Sequence, residues 1–377
     1  FFKESGARSA KGSFNSEHKK EGEWVHWHEN GVVESRSHYA NDEETGVYRS
    51  WYEDGAERDS VRLEKDITQG LFTSRDRAGL VRSRRTMTDG KATGPASYYH
   101  RCDALKLACV NTDDKANGTV TSFFPDGSKE WVGNLKDDRR HGIVEDFYPN
   151  GQLRLHGEYV NGDRTGPFTE YYASGKKKTE SNHVKGKLSG KRTVWYAHGG
   201  ISEEENYDEQ GREQGIHRTY TDDGKLYSEF EYTKGLLVRY RYFDVDGELL
   251  GEGKRSAGRF NFKGFYAEGA VRMEGAYLDE GAKDGTWKWY WSDGTLQSEE
   301  VFKAGAWNGV KRRFDRIGRK TTEYRMQEGF ATTGPYTTFH PDGSVSMQGN
   351  FEDGNYSGEF VSYEPDGKLA SETYYAD

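Results

Sequence analysis

Gly142-Ile-Val-Glu-Asp-Phe-Tyr-Pro-Asn-Gly151 is followed 24 residues later by Gly166-Pro-Phe-Thr-Glu-Tyr-Tyr-Ala-Ser-Gly175. Both stretches open on glycine, carry an apolar residue at the third place and an aromatic one at the sixth, and close on a small or polar residue before a second glycine. Outward from this pair, the leading glycine recurs at Gly22, Gly46, Gly70, Gly94, Gly118, Gly142, Gly166 and Gly190. It continues with small slips through Gly215, Gly285, Gly309, Gly334 and Gly358. The second glycine follows nine residues behind, and the two series together count fifteen copies. A fixed period of this length marks a repeat architecture, in which each unit is one supersecondary element that buries its apolar face only against its neighbours.

The pairs Asn30-Gly31, Asp54-Gly55, Asp126-Gly127, Asn150-Gly151, Asp293-Gly294, Asp342-Gly343 and Asp366-Gly367 are hairpin signals, and the sequence predicts type I′ turns there. Each unit is then one β-hairpin. Eleven residues past the turn a third site holds Gly90, Gly162, Gly186, Gly235, Gly258, Gly305, Gly329 and Gly354, or Asp42, Asp66, Asp114 and Asp138, and marks the return loop. Two columns are expected to form the core. The sixth position is aromatic in all copies but that of Arg75, and the residue eight places past the turn is Tyr39, Leu63, Met87, Leu135, Tyr159 and their equivalents. Alternation sets positions three and seven on the opposite face.

Composition agrees with order built on aromatics. Of 377 residues, 47 are Gly and only 33% are hydrophobic, yet 25 Tyr, 19 Phe and 9 Trp are present. The net charge of -9 offers no basic stripe, which disfavours nucleic acid as a partner and leaves a membrane only an indirect one. The expected fold is all-β: one continuous array over residues 1–377, elongated and twisted, of about fifteen 24-residue antiparallel hairpins. At roughly 9.6 Å per hairpin such an array runs on the order of 140 Å. An irregular seam is expected over about 238–284, where the spacing slips.

The unit resembles the MORN repeat, and specifically the bacterial MORN-repeat-variant family that carries an antitoxin-like label. The resemblance covers essentially the whole chain. It implies a twisted antiparallel sheet and a scaffolding or docking role, with neutralisation of a cognate toxin as the alternative that the label brings; fold alone does not fix function.

Candidate sites follow from departures from the repeat. At position seven, Phe124, Tyr148, Tyr172 and Tyr196 form an aromatic ladder, suited to a partner strand, peptide or glycan if its face is open and to a second core layer if the sheet coils over it. Trp287, Trp289 and Trp291 are the densest aromatic run and a second candidate partner site. His26 and His28 lie two apart without an evident third ligand, so no metal is expected. Cys102 and Cys109 bracket Asp103, which stands where a turn glycine is expected; a disulfide-closed loop and two free thiols are both compatible with that spacing. No nucleophile elbow, phosphate loop or dinucleotide fingerprint appears, so neither catalysis nor a cofactor is expected. Residues 1–6 read as half a hairpin, from which the natural chain is expected to extend upstream. That leaves localisation open, with periplasm, cell surface or extracellular space favoured over cytoplasm. The expected role is a non-enzymatic protein–protein scaffold or part of a bacterial, envelope-associated assembly. A surface glycan binder is a further alternative, and end-to-end or lateral self-association is open to it.

Overall fold

The computed structural model describes residue 6 and residues 8–327, 330–352 and 354–376. The strand edges at Phe1 and Asp377, and the return-loop position at Gly329, lie outside the described residues. Among the described residues every regular element is a β-strand. Neighbouring strands pair antiparallel, as the short loops require. Lys20–Trp27 pairs with Val33–Ala40, which sets Gly22 opposite Tyr39 and Trp24 opposite Ser37. The chain divides into two compact units, Phe1–Lys187 and Leu188–Asp377.

The hairpin turns at the second glycine differ from expectation. Gly31 has φ +82°, but Asn30 stays out of the left-handed region. The Gly31 N–H donates to His28 O at 3.0 Å, and the His28 N–H donates to Val32 O at 2.8 Å. This is a type I turn closed by a left-handed glycine, the three-residue hairpin with a bulge. Asn or Asp before the glycine serves another purpose: its side-chain oxygen accepts the N–H two residues on, at 3.1 Å for Asn30 and Val32 and 3.0 Å for Asp54 and Ala56.

Type I′ geometry occurs instead in the return loops. Asn41 and Asp42 have φ +54° and +73°, Lys65 and Asp66 +52° and +65°, Asp137 and Asp138 +51° and +65°. The strained second position is held by Asp in these copies because its carboxylate reaches the preceding copy. Asp42 Oδ1 accepts the Lys20 N–H at 2.6 Å, Asp114 the Ala92 N–H at 2.7 Å, and Asp138 the Ala116 N–H at 2.8 Å. Glycine at that place keeps only the backbone bond, as where the Gly90 N–H donates to Thr68 O.

The core column is also corrected. Trp24, Val120, Val144, Phe168 and Trp287, all at position three, are at most 2% exposed. The expected core residues at position six are half-buried on the other face in every copy but that of Phe265. Register supplies the reason. Because position one pairs with the residue eight past the turn, position three shares that residue's face, and alternation sends position six away. In the first unit Val120, Val144 and Phe168 pack with Trp131, Leu155 and Tyr159; in the second, Tyr240, Phe262, Trp287 and Phe302 pack together. The rings lie on glycines of the adjacent strand. A Cβ at Gly157 would stand 2.3 Å from the Phe168 ring, and one at Gly275 would stand 2.2 Å from the Trp287 indole.

Within the second unit the ladder breaks once. Leu249–Lys254 and Phe260–Phe265 are not paired, and a separate sheet of 11 strands begins at Phe260. Side chains take over the bridging. The Lys263 N–H donates to Tyr240 Oη at 3.0 Å, Tyr227 Oη donates to Phe265 O, and Arg255 donates to Leu237 O at 3.0 Å and Leu278 O at 2.7 Å.

Gly275→Ala and Gly157→Ala should each cost about 1–3 kcal/mol, because the new methyl displaces a packed ring in a dense interior. Urea unfolding monitored by tryptophan fluorescence measures it. A neutral result would mean that the rings are not seated on these glycines.

Candidate interaction surfaces

Position seven is the first residue of each hairpin turn, and the structure uses it to tie consecutive copies together. Tyr148 Oη donates to Tyr171 O at 2.8 Å, Tyr52 Oη to Arg75 O at 2.8 Å, Tyr196 Oη to Tyr220 O at 2.6 Å and Tyr266 Oη to Tyr290 O at 2.8 Å. Histidine does the same through Nε2–H: His28 to Trp51 O at 2.9 Å, His100 to Phe123 O at 2.8 Å and His340 to Tyr363 O at 2.7 Å. The acceptor is always the position-six carbonyl of the next copy. Phe124, Tyr148, Tyr172 and Tyr196 are all half-buried. His28 is committed to this bond while His26 stacks on Trp24, with ring centroids 6.4 Å apart. The sequence signal was present, since the column favours aromatics with a polar tip. Tyr148→Phe should cost about 1 kcal/mol, the net value of one such bond, and thermal melting reads it; a stability unchanged within error would remove the inter-copy tie.

The tryptophan run separates. Trp287 is wholly buried, so it belongs to the core and is withdrawn from any surface site. Its Nε1–H donates to Ala276 O at 3.1 Å. Trp289 and Trp291 are half-buried and line a cleft of about 440 Å³ with Gln297, Ser298, Glu300, Arg313, Phe314 and Thr321. The Arg316 guanidinium lies 4.7 Å over the Trp291 ring, and the Trp291 Nε1–H is buried without a hydrogen-bond partner. Beneath, the Lys283 ammonium stands 4.4 Å from the Trp287 ring and 5.0 Å from that of Trp289. Burial pulls its pKa down from the usual lysine range.

Cys102 and Cys109 are both free. The hairpin between them is intact, because Asp103 itself adopts φ +62° and its N–H donates to His100 O as the glycine does in other copies. Cys102 is left exposed, while Cys109 sits opposite Ala96 and joins the core. Burial pushes its thiol pKa up, and its S–H reaches Asn111 Oδ1 at 3.6 Å. Among the described residues no group of three His, Cys, Asp or Glu side chains gathers as for a metal ion.

On the second unit, position four and the residue five past the turn meet as direct cross-strand partners of alternating sign. Glu204, Arg218, Glu229, Arg241 and Glu252 follow one another across the strands before the ladder break. Lys263, Glu274, Lys288, Glu299, Arg312 and Glu323 do so after it. The Arg218–Glu229 contact is 3.0 Å, Arg312–Glu299 2.6 Å and Arg312–Glu323 2.8 Å. The corresponding row of the first unit runs Arg36, Arg49, Ser60, Thr73, Arg84, Ser97, Ala108, Thr121, Val132, Glu145 and His156, without that alternation of sign. Hydrogen bonds from Lys191 and Tyr220 hold the Glu204 carboxyl below the usual range, and one from Tyr290 does so for Glu274. For Glu229 burial opposes ionisation, but the bonds from Arg241 and Arg218 outweigh it and the carboxyl is again lowered. Carboxyls depressed in the folded state stabilise it above their unfolded pKa of about 4.3, and that stability is lost as pH falls through the folded values. In acid, residues 188–377 should therefore lose amide protection before residues 1–187, measured by hydrogen exchange with peptide-level mass spectrometry. The opposite order would mean that the row contributes nothing.

The MORN repeat variant matches residues 20–41, 140–161, 164–185, 213–234, 283–304 and 356–377. No curated protein matches the sequence. Among solved structures, the complex TcdB2-TccC3-Cdc42 is similar at 11% identity and TM-score 0.15, over 90% of this chain and 24% of that one. A Tc holotoxin pore of Photorhabdus luminescens is similar at 11% identity and TM-score 0.13, over 92% and 24%. A protein from Lactobacillus plantarum is similar at 10% identity and TM-score 0.11, over 97% and 95%. The chain thus spans about a quarter of the length of the first two, and TM-scores of this size do not amount to a shared architecture. The six family matches fall in register with hairpins of both units, and the chain is a MORN-repeat protein.

Proposed function

We propose that this chain is a non-enzymatic scaffold that binds another protein, as a structural part of a bacterial, envelope-associated assembly. The Trp289 and Trp291 cleft carries the reading. Most repeat aromatics are consumed by the core or by bonds to the next copy, whereas Trp291, and Trp289 where it is not packed against the core, border open space beside polar groups. Half-buried tryptophans beside an arginine are the residue types in which interface energy concentrates. With a net charge of -9 and the charges of the second unit's cross-strand row paired with one another, a protein partner suits the chain better than nucleic acid, and a membrane is reached through that partner. Self-association is a form of the same reading.

A glycan is the second reading, favoured by the same cleft. Two indole faces with Gln297, Ser298, Glu300, Arg313 and Thr321 at the margin offer stacking and hydrogen bonds to a sugar ring.

Affinity capture with the tagged chain, compared with the Trp289→Ala/Trp291→Ala double variant, tests both. The scaffold reading expects stoichiometric protein partners whose affinity falls by roughly thirtyfold, the scale of a hot-spot loss of about 2 kcal/mol. Circular dichroism must show the variant folded. Glycan-array binding that needs the two indoles would put the second reading first. A single small basic protein, retained by both forms, would favour neutralisation of a toxin and overturn both.

A further inference from the structure

Two consecutive copies of the first unit carry one charge pattern in one register. Arg140, Asp146 and Arg154 are followed, 24 residues on in each case, by Arg164, Glu170 and Lys178. In the earlier copies the acidic place holds His26, Ser50, Ser74, Tyr98 or Ser122, so the pattern belongs to this pair alone within the unit. All six side chains line one small cleft of about 160 Å³, with Tyr148, Leu155, Tyr159 and Tyr171 between them.

The cleft is stiff and has cationic charge to spare. Asp146, its side chain 5% exposed, is held by Arg154 at 2.7 Å and Arg140 at 3.6 Å. Its Oδ1 is buried and accepts no hydrogen bond. The Arg140 guanidinium lies 5.2 Å from the Trp131 ring and 5.4 Å from that of Tyr159, and the Arg164 guanidinium lies 5.0 Å from that of Phe168. Stacking on core rings fixes these guanidinium groups before any ligand arrives. Arg164 stands 3.8 Å from Glu170, and Lys178 lies 5.9 Å over Tyr172. Four cations thus face two carboxylates, a local excess of two positive charges in a protein of net charge -9. Arg154 is 50% exposed and Arg140 39%, so donor edges remain open to solvent.

We propose that this cleft binds carboxylate side chains of an acidic segment on a protein partner. The inference rests on the scaffold reading and supplies the partner's chemistry. Guanidinium forks match a planar carboxylate in two-point geometry. The two charge sets stand two strands apart, about 9.6 Å, so one segment with several acidic residues engages both.

The test is fluorescence anisotropy of the whole chain with fluorescein-labelled, terminally blocked hexaglutamate, against hexaglutamine at the same low ionic strength. Hexaglutamate should bind and hexaglutamine should not. Arg154→Gln and the Arg164→Gln/Lys178→Gln double variant should each weaken Kd at least about tenfold, the scale of losing one charge-assisted contact, while Arg62→Gln, at an exposed arginine outside the cleft that pairs with Glu64 at 3.3 Å, should leave it unchanged. If Arg154→Gln fails to fold, the double variant at 164 and 178 decides. Equal binding of the two peptides, variants without effect, or displacement by inorganic phosphate better than by acetate at matched ionic strength would overturn the assignment. In the capture experiment, partners lost with the tryptophans but kept by the 164/178 variant would leave the scaffold reading standing and remove this one. Hexaglutamate binding with no captured partner would do the reverse.

Discussion

Hydrogen bonding between consecutive loops is the constraint from which the other features follow. A lone two-stranded hairpin is marginal in water, and this sequence has few aliphatic side chains with which to compensate. Many copies are therefore tied to their neighbours through their loops. On the turn side, Tyr or His at position seven donates forward to the next copy, as from Tyr148 to Tyr171 O. On the return side, Asp at the left-handed position accepts from the preceding copy, as Asp42 does from the Lys20 N–H. These ties hold the strands close enough for position-three rings to rest on glycines such as Gly157 and Gly275. Stability is then a sum over neighbours.

The period, the hairpins and the all-β class were legible because glycine at positive φ leaves an unmistakable spacing. The exchange of turn types was not. Asn-Gly and Asp-Gly suit a type I′ turn and equally a type I turn with a bulge, and only backbone geometry separates Asn30, outside the left-handed region, from Asn41, inside it. The core column was misplaced for a related reason. The bulge beside position six hides the register, and without register the alternation of Trp24 and Trp27 does not say which faces inward. The glycines opposite position three, Gly133, Gly157, Gly275 and Gly349, were the available clue.

Of the candidate residues, those set apart by departure from the repeat fared differently from those set apart by conformity to it. The position-seven tyrosines conform, and Tyr148 and Tyr196 carry inter-copy bonds. Trp289 and Trp291 depart from their columns, and they border a cleft. The alternating charge row was hidden altogether, since Arg218 and Glu229 are eleven residues apart and become neighbours only once strands are paired.

That distinction assigns roles within a repeat. A column filled the same way in every copy answers a requirement every copy shares, namely packing or linkage. A side chain peculiar to one or two copies has no such requirement to meet. Asp146 and Glu170 illustrate the second case: burying a carboxylate costs several kcal/mol unless it is paired, and the serine of other copies avoids that cost. Asp146 meets that condition through Arg154 and Arg140, and Glu170 through Arg164, so each acid in turn holds a guanidinium in place. Because Arg154 keeps half of its side chain open to solvent, this pairing leaves cationic edges at the surface, and a charge set peculiar to two copies is what the proposed acidic segment would read.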